Sequence, residues 1–146
     1  MTTVAQILAT KADRTVHTIA PTASVYEAVR LMADRNIGAL VVVEHGQVVG
    51  IVSERDYARK IVLMARASKD TPLSEIMSSP VMYVQPDQTS EECMVLMTEN
   101  RLRHLPVMDG NKLIGLISIG DLVKAIISDQ KFTIEQLEHY IAGGNP

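Results

Sequence analysis

The sequence predicts an α+β protein made of two β-α-β-β-α repeats packed as a pseudo-twofold pair. Residues 18–62 and 83–127 align without a gap at a constant offset of 65 residues. Identical residues recur at this offset in pairs that include Pro21 and Pro86, Glu27 and Glu92, Met32 and Met97, Leu40 and Leu105, Gly50 and Gly115, Ser53 and Ser118, and Asp56 and Asp121. A repeat of fixed period identifies the structural unit before any functional motif does.

Each repeat is expected to open with a short strand and then a helix. The strands are predicted at residues 16–19 and 81–84. Serine or threonine followed three residues later by glutamate predicts a capping box at each helix start. The two patterns are Ser24-x-x-Glu27 and Thr89-x-x-Glu92, with apolar positions behind them at Val25, Ala28, Val29 and Met32 in copy one and at Cys93, Met94 and Met97 in copy two. This spacing indicates one apolar helix face in each copy.

Two strands joined by a tight turn follow each helix. They are predicted at residues 39–43 and 48–52 in copy one, and at residues 105–108 and 113–117 in copy two. The turns are predicted at His45-Gly46 and Asp109-Gly110, because glycine tolerates the positive φ that tight hairpins need. The strands are nearly continuous aliphatic runs, which is typical of strands buried on both faces.

The remaining segments complete and connect the repeats. A closing helix is predicted after Ser53 and again after Ser118, and short amphipathic helices are predicted around residues 4–8 and 73–77. Residues 132–141 are predicted to be helical, ahead of the Gly143-Gly144-Asn145-Pro146 end. The predicted division is a first repeat at residues 4–63, a linker at 64–72, a second repeat at 73–128 and a helical tail at 129–146.

Composition limits the classes of protein to which the chain can belong. Its 146 residues suffice for one compact domain, and each repeat alone is so small that we expect the two to share a core. The hydrophobic content is 47% with one Phe and no Trp, so the core is expected to be aliphatic. A net charge of −3 excludes the broad basic field of nonspecific nucleic-acid binders.

Cysteine usage and hydropathy indicate a protein of a reducing compartment. Cys93 is the only cysteine, so it forms no internal disulfide, and we expect it to be a small buried hydrophobe. One Cys and four scattered His predict no metal site. We recognise no secretory signal and no membrane-spanning stretch, so a cytoplasmic protein without membrane partners is expected.

Two short motifs then connect the chain with a known family. The segments GIVSERD at residues 50–56 and GLISIGD at residues 115–121 end the two repeats in the same way, and RHLPV occupies residues 103–107. Together with the repeat and its order of elements, they resemble tandem CBS domains, the Bateman module. The resemblance covers about residues 4–128, and it is strongest to small stand-alone CBS pairs of bacteria and to a mitochondrial CBS-pair protein of plants.

The resemblance implies a regulatory protein that binds adenine nucleotides. Such pairs bind AMP, ADP or ATP, in some members S-adenosylmethionine or NAD(H), and pass the state of occupancy to a regulated partner protein, here unidentified. They usually form homodimers. Each site joins the strand entrances of one copy to the Ser-x-x-Asp of the other. Site A would combine Thr18, Ile19, Ala23, Ala28, Ile37, Gly38 and Ala39 with Ser118 and Asp121; site B would combine Val84, Pro86, Arg101, Leu102, Arg103, His104 and Leu105 with Ser53, Arg55 and Asp56.

The Ser-x-x-Asp motif has two readings from its chemistry alone. A carboxylate at a helix start can accept hydrogen bonds from both hydroxyls of a ribose, and the helix N-terminus favours a nearby phosphate. Alternatively, the motif is a capping box in which the aspartate bonds back to the serine amide. The recurrence of a preceding glycine in both copies and the family resemblance favour nucleotide contact for Asp56 and Asp121.

Basic residues gather near both motifs. Arg55 and Arg59 lie one helical turn apart and could face one phosphate, as could Arg101 and Arg103 near a strand entrance. The alternative is a solvated surface with ordinary ion pairs, and His104 could equally pack under its strand. Copy two has Arg103 and His104 where copy one has Gly38 and Ala39, but Gly120 where copy one has Arg55. The two sites are therefore expected to differ, with site B the richer in cations.

No catalytic constellation is found, so we expect a sensor and not an enzyme. The serines lack a nucleophile elbow, and neither a P-loop nor a dinucleotide fingerprint is present. The main alternative is a structural homodimer with vestigial clefts. A third hypothesis, nucleic-acid binding through residues 101–104, is disfavoured by the charge and the scarcity of aromatic residues.

Overall fold

Two compact units divide the chain in a way that differs from the sequence repeats. The computed structural model describes residues 2–142. One unit, here the N-repeat unit, comprises Thr15–Met82; the other, the C-repeat unit, joins the chain up to Arg14 with the chain from Tyr83 onward. The amino-terminal segment therefore belongs with the second repeat, and the segment between the repeats belongs with the first.

The expected α+β class is confirmed. The helices are α1 (Val4–Thr10), α2 (Val25–Arg35), α3 (Glu54–Asp56), α4 (Ser90–Asn100) and α5 (Ile119–Ile141), with a π-helical turn at Tyr57–Val62 and a 3₁₀ turn at Leu73–Glu75. The strands are β1 (Thr18–Ile19), β2 (Ala39–Glu44), β3 (Gln47–Ser53), β4 (His104–Asp109) and β5 (Lys112–Ser118). The N-repeat unit has the sheet order β1-β2-β3, and β4 pairs with β5 in the C-repeat unit.

The predicted strand at residues 81–84 is reduced to one parallel bridge, between Val84 and Val107. In copy one, the amide of Val41 donates to the carbonyl of His17 and extends the ladder backwards. The equivalent of Val41 is Pro106, which has no N–H to donate. The ladder therefore cannot continue back to residue 82.

Burial on both faces is confirmed for the first strand of each hairpin and wrong for the second. Residues 39–42 of β2 are all buried, as are residues 105–107 of β4. In β3 and β5, buried residues alternate with half-buried ones beyond the turn. The alternation shows that the core fully covers only one face of β3 and of β5, because successive side chains of a strand point to opposite faces.

The hairpin turn of copy one lies where it was predicted, and that of copy two lies one residue later. His45 and Gly46 both have positive φ, at 52° and 75°, as a type I′ turn requires. In copy two, Asp109 pairs with Lys112, so the turn residues are Gly110 and Asn111. Only Gly110 has positive φ, which is the pattern of a type II′ turn.

Each unit has its own aliphatic core, and a core shared by the two repeats stays a prediction. Val4, Ile7 and Leu8 of α1 complete the core of the C-repeat unit. Leu73 and Ile76 do the same in the N-repeat unit. Each repeat is thus enlarged by a segment that precedes the other repeat in sequence.

The recurrent glycines make room for these added segments. A Cβ on Gly115 would lie 2.6 Å from Cδ2 of Leu8, and one on Gly50 would lie 2.5 Å from Sδ of Met77. The glycine that opens each repeated motif therefore has a packing role that the sequence did not indicate.

The caps of α2 and α4 are only half of the predicted capping boxes. The hydroxyls of Ser24 and Thr89 accept from the amides of Glu27 and Glu92, at 3.1 and 3.2 Å. The reciprocal bonds, in which the glutamate carboxylates would accept from the amides of Ser24 and Thr89, do not form in these two exposed caps. Glu92 instead accepts a bond from the side chain of Gln88 at 3.4 Å.

Cys93 is buried, as expected, and burial together with the neighbouring Glu92 raises the pKa of its thiol to about 11. The predicted tail helix is confirmed to residue 141, but it is the uninterrupted continuation of α5. Residues 143–146 lie outside the described part of the chain.

Candidate functional site

Asp56 is held in a complete capping box at the start of α3. Its Oδ2 accepts hydrogen bonds from the amide and the hydroxyl of Ser53, at 2.9 and 3.1 Å. The Ser53 hydroxyl in turn accepts from the amide of Asp56 at 3.3 Å. Lys60, one turn further along, lies with its Nζ 3.2 Å from Oδ1. Both oxygens of this carboxylate are therefore engaged.

Asp121 repeats this arrangement at the start of α5. Its Oδ2 accepts from the amide of Ser118 at 2.9 Å, and the amide of Asp121 donates to the Ser118 hydroxyl at 3.1 Å. Lys11 donates to the same Oδ2 at 3.0 Å. Oδ1 takes part in none of these bonds, so one oxygen of this carboxylate lies outside the network of its cap and lysine, whereas both oxygens of Asp56 take part in theirs.

The two lysines occupy corresponding places but come from different parts of the chain. Each also donates to a backbone carbonyl, Lys60 to Ile76 at 2.8 Å and Lys11 to Leu116 at 2.9 Å. Neither lysine was among the site residues predicted from the sequence. Lys60 was detectable as an i, i+4 partner of Asp56. Lys11 had no sequence signal, because only the fold brings it to Asp121.

Asp121 has a lowered pKa. Burial alone would raise the pKa of its carboxyl, but the Ser118 amide and the Lys11 ammonium outweigh burial and lower it below the usual 3.8. The group is therefore a carboxylate at neutral pH, the form that accepts hydrogen bonds from a diol.

His104 lies beside this carboxylate on β4. It is paired across the hairpin with Ser118. Burial lowers its pKa from the usual 6.5, opposed by Asp121 and reinforced by Lys11 and Arg103. His104 is thus a neutral imidazole at pH 7. Its half-buried position favours the packing alternative over a cationic phosphate ligand.

The strand entrances lie next to the Ser-x-x-Asp of their own copy. The amide of Glu54 donates to the carbonyl of Gly38 at 3.1 Å, and that of Ile119 donates to Arg103 at 2.9 Å. Ala39 is paired across its hairpin with Ser53. Each unit thus brings together one strand entrance and one capped aspartate. The predicted combination of an entrance in one copy with the motif of the other stays a prediction.

Burial separates the predicted ligand-binding residues into three classes. The fully buried ones are Ala28, Ala39, Val84 and Leu105. The half-buried ones are Ile19, Ala23, Ile37, Gly38, Ser53, Asp56, Pro86, Leu102, His104, Ser118 and Asp121, and the exposed ones are Thr18, Arg55, Arg59, Arg101 and Arg103. Side chains of the first class are part of the core, so only their backbone could meet a ligand.

A cleft of about 720 Å³ lies within the C-repeat unit, between α1, the segment after it and α5. Its lining residues are Thr2, Gln6, Ile7, Thr10, Lys11, Ala12, Asp13, Asp121, Lys124, Ala125 and Ser128. The negatively charged Asp121 and the positively charged Lys11 and Lys124 therefore border the same cleft. None of the site residues predicted from the sequence lies in the amino-terminal segment, which supplies much of this lining.

Residues 2–142 contain neither a metal-ligand cluster nor a membrane-spanning helix. No cluster of His, Cys, Asp and Glu there could hold a metal ion. No helix in that range has the length and apolar character needed to cross a membrane.

The pH dependence of stability should report the environment of His104. Because its folded pKa lies below 6.5, the unfolded chain binds the proton first, and the free energy of unfolding should fall as pH drops through 6.5. Asp121 affects the free energy of unfolding at lower pH. The stability that its lowered pKa contributes is lost as the pH falls below 3.8 toward the folded pKa. Urea titrations of wild type and His104→Gln from pH 7.5 to 5 measure the first window.

The His104→Gln variant should show a weaker pH dependence in that window. The control is His139→Gln, which removes an exposed imidazole from α5. Equal slopes for wild type and His104→Gln would contradict the burial of a neutral imidazole.

The CBS domain model matches residues 4–63 and 73–128. The mitochondrial CBS domain-containing protein CBSX3 of Arabidopsis thaliana is 42% identical over 126 residues, 83% of this chain and 61% of that protein. YhcV of Bacillus subtilis, a CBS domain-containing protein, is 35% identical over 79% of this chain and 81% of its own length. The chain therefore spans less than two thirds of the Arabidopsis relative.

Solved structures of proteins with CBS domains have the same fold as this chain. A protein with CBS domains from Burkholderia ambifaria is 60% identical, with a TM-score of 0.85 over 88% of this chain and 96% of that one. A cyanobacterial CBS-CP12 protein, 30% identical with a TM-score of 0.75 over 83% of this chain and 70% of that one, is hexameric. The CBS pair of protein MJ0100, 24% identical with a TM-score of 0.75 over 88% of this chain and 98% of that one, is a complex with 5′-methylthioadenosine and S-adenosylmethionine. CBS pairs are regulatory modules, and the matches at both repeats place this chain in the CBS-domain family, with two CBS domains in tandem.

Proposed function

We propose that the protein is a non-catalytic sensor that binds an adenine nucleotide and transmits its occupancy to a partner protein. The observation that carries the proposal is the capped, lysine-paired aspartate that lies beside a strand entrance in both units. AMP, ADP and ATP are the first candidates as ligand, and NAD(H) shares their adenosine half. A cytoplasmic location and a homodimer belong to the same proposal.

The ribose is the group that this arrangement suits best. A carboxylate whose position is fixed by a capping box needs no reorganisation to accept from two adjacent hydroxyls. The nearby lysines supply positive charge for a phosphate, and the volume of the cleft beside Asp121 falls within the range of roughly 300–1,000 Å³ typical of small-molecule sites. Exposed Arg103 adds a further cation in the same unit.

The two aspartates support unequal affinities. Asp121 has an oxygen outside the network of its cap and lysine, whereas Asp56 has committed both. A diol at Asp56 would take its place beside Lys60, which already forms an ion pair with Oδ1, so fewer acceptor sites are open to it than at Asp121. We therefore expect the site that contains Asp121 to bind more tightly.

A structural homodimer with vestigial clefts is the second candidate. It is favoured by the completeness of the capping boxes, which by themselves account for both Ser-x-x-Asp motifs as helix caps. The two candidates differ in whether a nucleotide binds the native state at all.

A thermal-shift screen separates the candidates. AMP, ADP, ATP, NAD⁺, NADH, S-adenosylmethionine and 5′-methylthioadenosine are tested at millimolar concentration, with 2′-deoxy-AMP as the matched ligand without the diol. A ligand at one hundred times its Kd stabilises the native state by about 2.7 kcal/mol. We expect a rise in Tm for at least one ribonucleotide and a smaller one for the deoxy compound. No rise for any of them would leave the structural homodimer as the better account.

A further inference from the structure

The carboxyl-terminal half of α5 is an amphipathic helix that the fold leaves unpacked. Leu122 is the last buried residue of this helix. Beyond it, Ile127, Ile134 and Leu137 are more than half exposed, and Ile141 is 81% exposed. An isolated helix of ~12–15 residues is marginal in water, so this stretch needs packing to persist.

The apolar positions follow the spacing of a coiled coil. Val123, Ile127, Gln130, Ile134, Leu137 and Ile141 alternate in steps of four and three residues. This is the a/d pattern of a heptad repeat, with a at Ile127, Ile134 and Ile141. The pattern places one continuous seam along α5, interrupted only at Gln130. A seam of this kind is completed by another helix with the same spacing.

Flanking charges favour an antiparallel arrangement of two copies. When each a position meets a d position of an antiparallel copy about a two-fold axis, Lys124 lies opposite Glu138 of the partner subunit, and symmetry forms this pair twice. The other flank brings Ile126 against Tyr140 of the partner subunit, which adds apolar contact. The cost is one like-charge contact, between the two Lys131 side chains on the axis.

Other arrangements match fewer charges or fewer seam positions. Moving the antiparallel register by one heptad in one direction sets Lys131 against Glu138 of the partner subunit twice, but it aligns only four of the six seam positions of each helix. Moving it in the other direction sets Lys124 against Lys131 of the partner subunit, twice. A parallel pair places Lys131 beside Ile126 and Glu138 beside Thr133, so that no opposite charges meet. A membrane surface is also a poor occupant, because residues 129–141 carry Asp129, Glu135 and Glu138 against one lysine.

We propose that residues 123–141 are a self-association surface, which pairs with the same helix of a second copy in antiparallel orientation. The proposal rests on the homodimer included in the proposed function and locates its interface. The seam residues of α5 do not line the cleft, whereas the flanking Lys124 does, so the association of the variants is measured without nucleotide. The proposal assigns a role to the tail helix, which has no counterpart in the first repeat.

Charge reversal tests both the surface and the orientation. Sedimentation equilibrium measures the dimer Kd of the full chain and its variants. Lys124→Glu and Glu138→Lys each turn two attractive pairs into repulsive ones and should weaken association by about three- to tenfold. The double variant restores opposite charges and should return the Kd to within about threefold of wild type.

A substitution in the seam tests the surface independently of charge pairing. Leu137→Asp should weaken association by more than about a hundredfold, because it buries an unpaired carboxylate. Gln136→Asp adds the same charge outside the seam and is the control. Leu137 is exposed in the single chain, so the variant should keep its thermal stability as a monomer.

Three results would overturn the proposal. They are a monomeric wild type at 100 μM, an oligomer that Leu137→Asp leaves intact, and a double charge-reversal variant that associates no better than the single ones. Binding of the monomer to phosphatidylserine vesicles, lost in Leu137→Asp, would assign the helix to a membrane instead.

Discussion

Replacing Leu105 with alanine is expected to lower the free energy of unfolding by about 2–5 kcal/mol, the range for a buried leucine cut back to alanine. Leu105 is fully buried on β4, in the core that α1 completes. Its side chain packs and does not face solvent. We therefore expect the cost to appear in stability and not in ligand affinity. Urea denaturation with a fixed m value measures the change.

Leu102→Ala is the matched control for this prediction. Leu102 lies three residues earlier and is only half-buried, so the same truncation should cost less. Leu40 is the equivalent of Leu105 in the other repeat and is also fully buried, so Leu40→Ala should cost about as much as Leu105→Ala. A loss below about 1 kcal/mol for Leu105→Ala would contradict its place in the core.

Replacing Asp121 with asparagine is expected to weaken nucleotide binding at its site by about 1.5–3 kcal/mol, the range for a hydrogen bond to a charged group. An asparagine oxygen accepts fewer bonds from a diol and carries no charge. Because the capping box is formed in the structure, some stability should be lost as well, up to about 0.5–2 kcal/mol. Affinity and not stability therefore decides between the ribose role and the cap alone.

Paired variants make this result specific. Asp56→Asn should weaken the other site and spare the one that contains Asp121. Glu92→Gln removes one charge near another helix start of the same unit, and it should change neither affinity. Asp121→Asn and Asp56→Asn proteins that lose stability but retain both affinities would show that the aspartates are caps only.

The repeat made most of the fold predictable, and the misses have identifiable causes. Hairpins, helix starts and apolar faces follow from local patterns that recur at the same offset. The shortening of the strand before Pro86 does not follow from a local pattern, because it is caused by Pro106 in a different strand. The position of α1 was also out of reach, since Gly115 accepts Leu8 only through the tertiary fold.

The site was predictable only where its residues are close in sequence. Ser118 and Asp121 define their own geometry within one helical turn, and the structure places them as a cap. Lys11 reaches the same carboxylate from more than a hundred residues away, and no local pattern marks it. The exposed arginines were identified from type and spacing alone, and their contact with phosphate stays a prediction.

Isothermal titration calorimetry of the wild-type chain, freed of any co-purified nucleotide, tests the central claim most directly. With AMP as titrant, we predict saturable binding to two unequal sites per chain. Removal of the tighter one by Asp121→Asn should leave the weaker one in place. Absence of binding heat and of competition for AMP, ADP, ATP, NAD⁺, NADH, S-adenosylmethionine and 5′-methylthioadenosine would contradict the assignment of this protein as an adenine-nucleotide sensor.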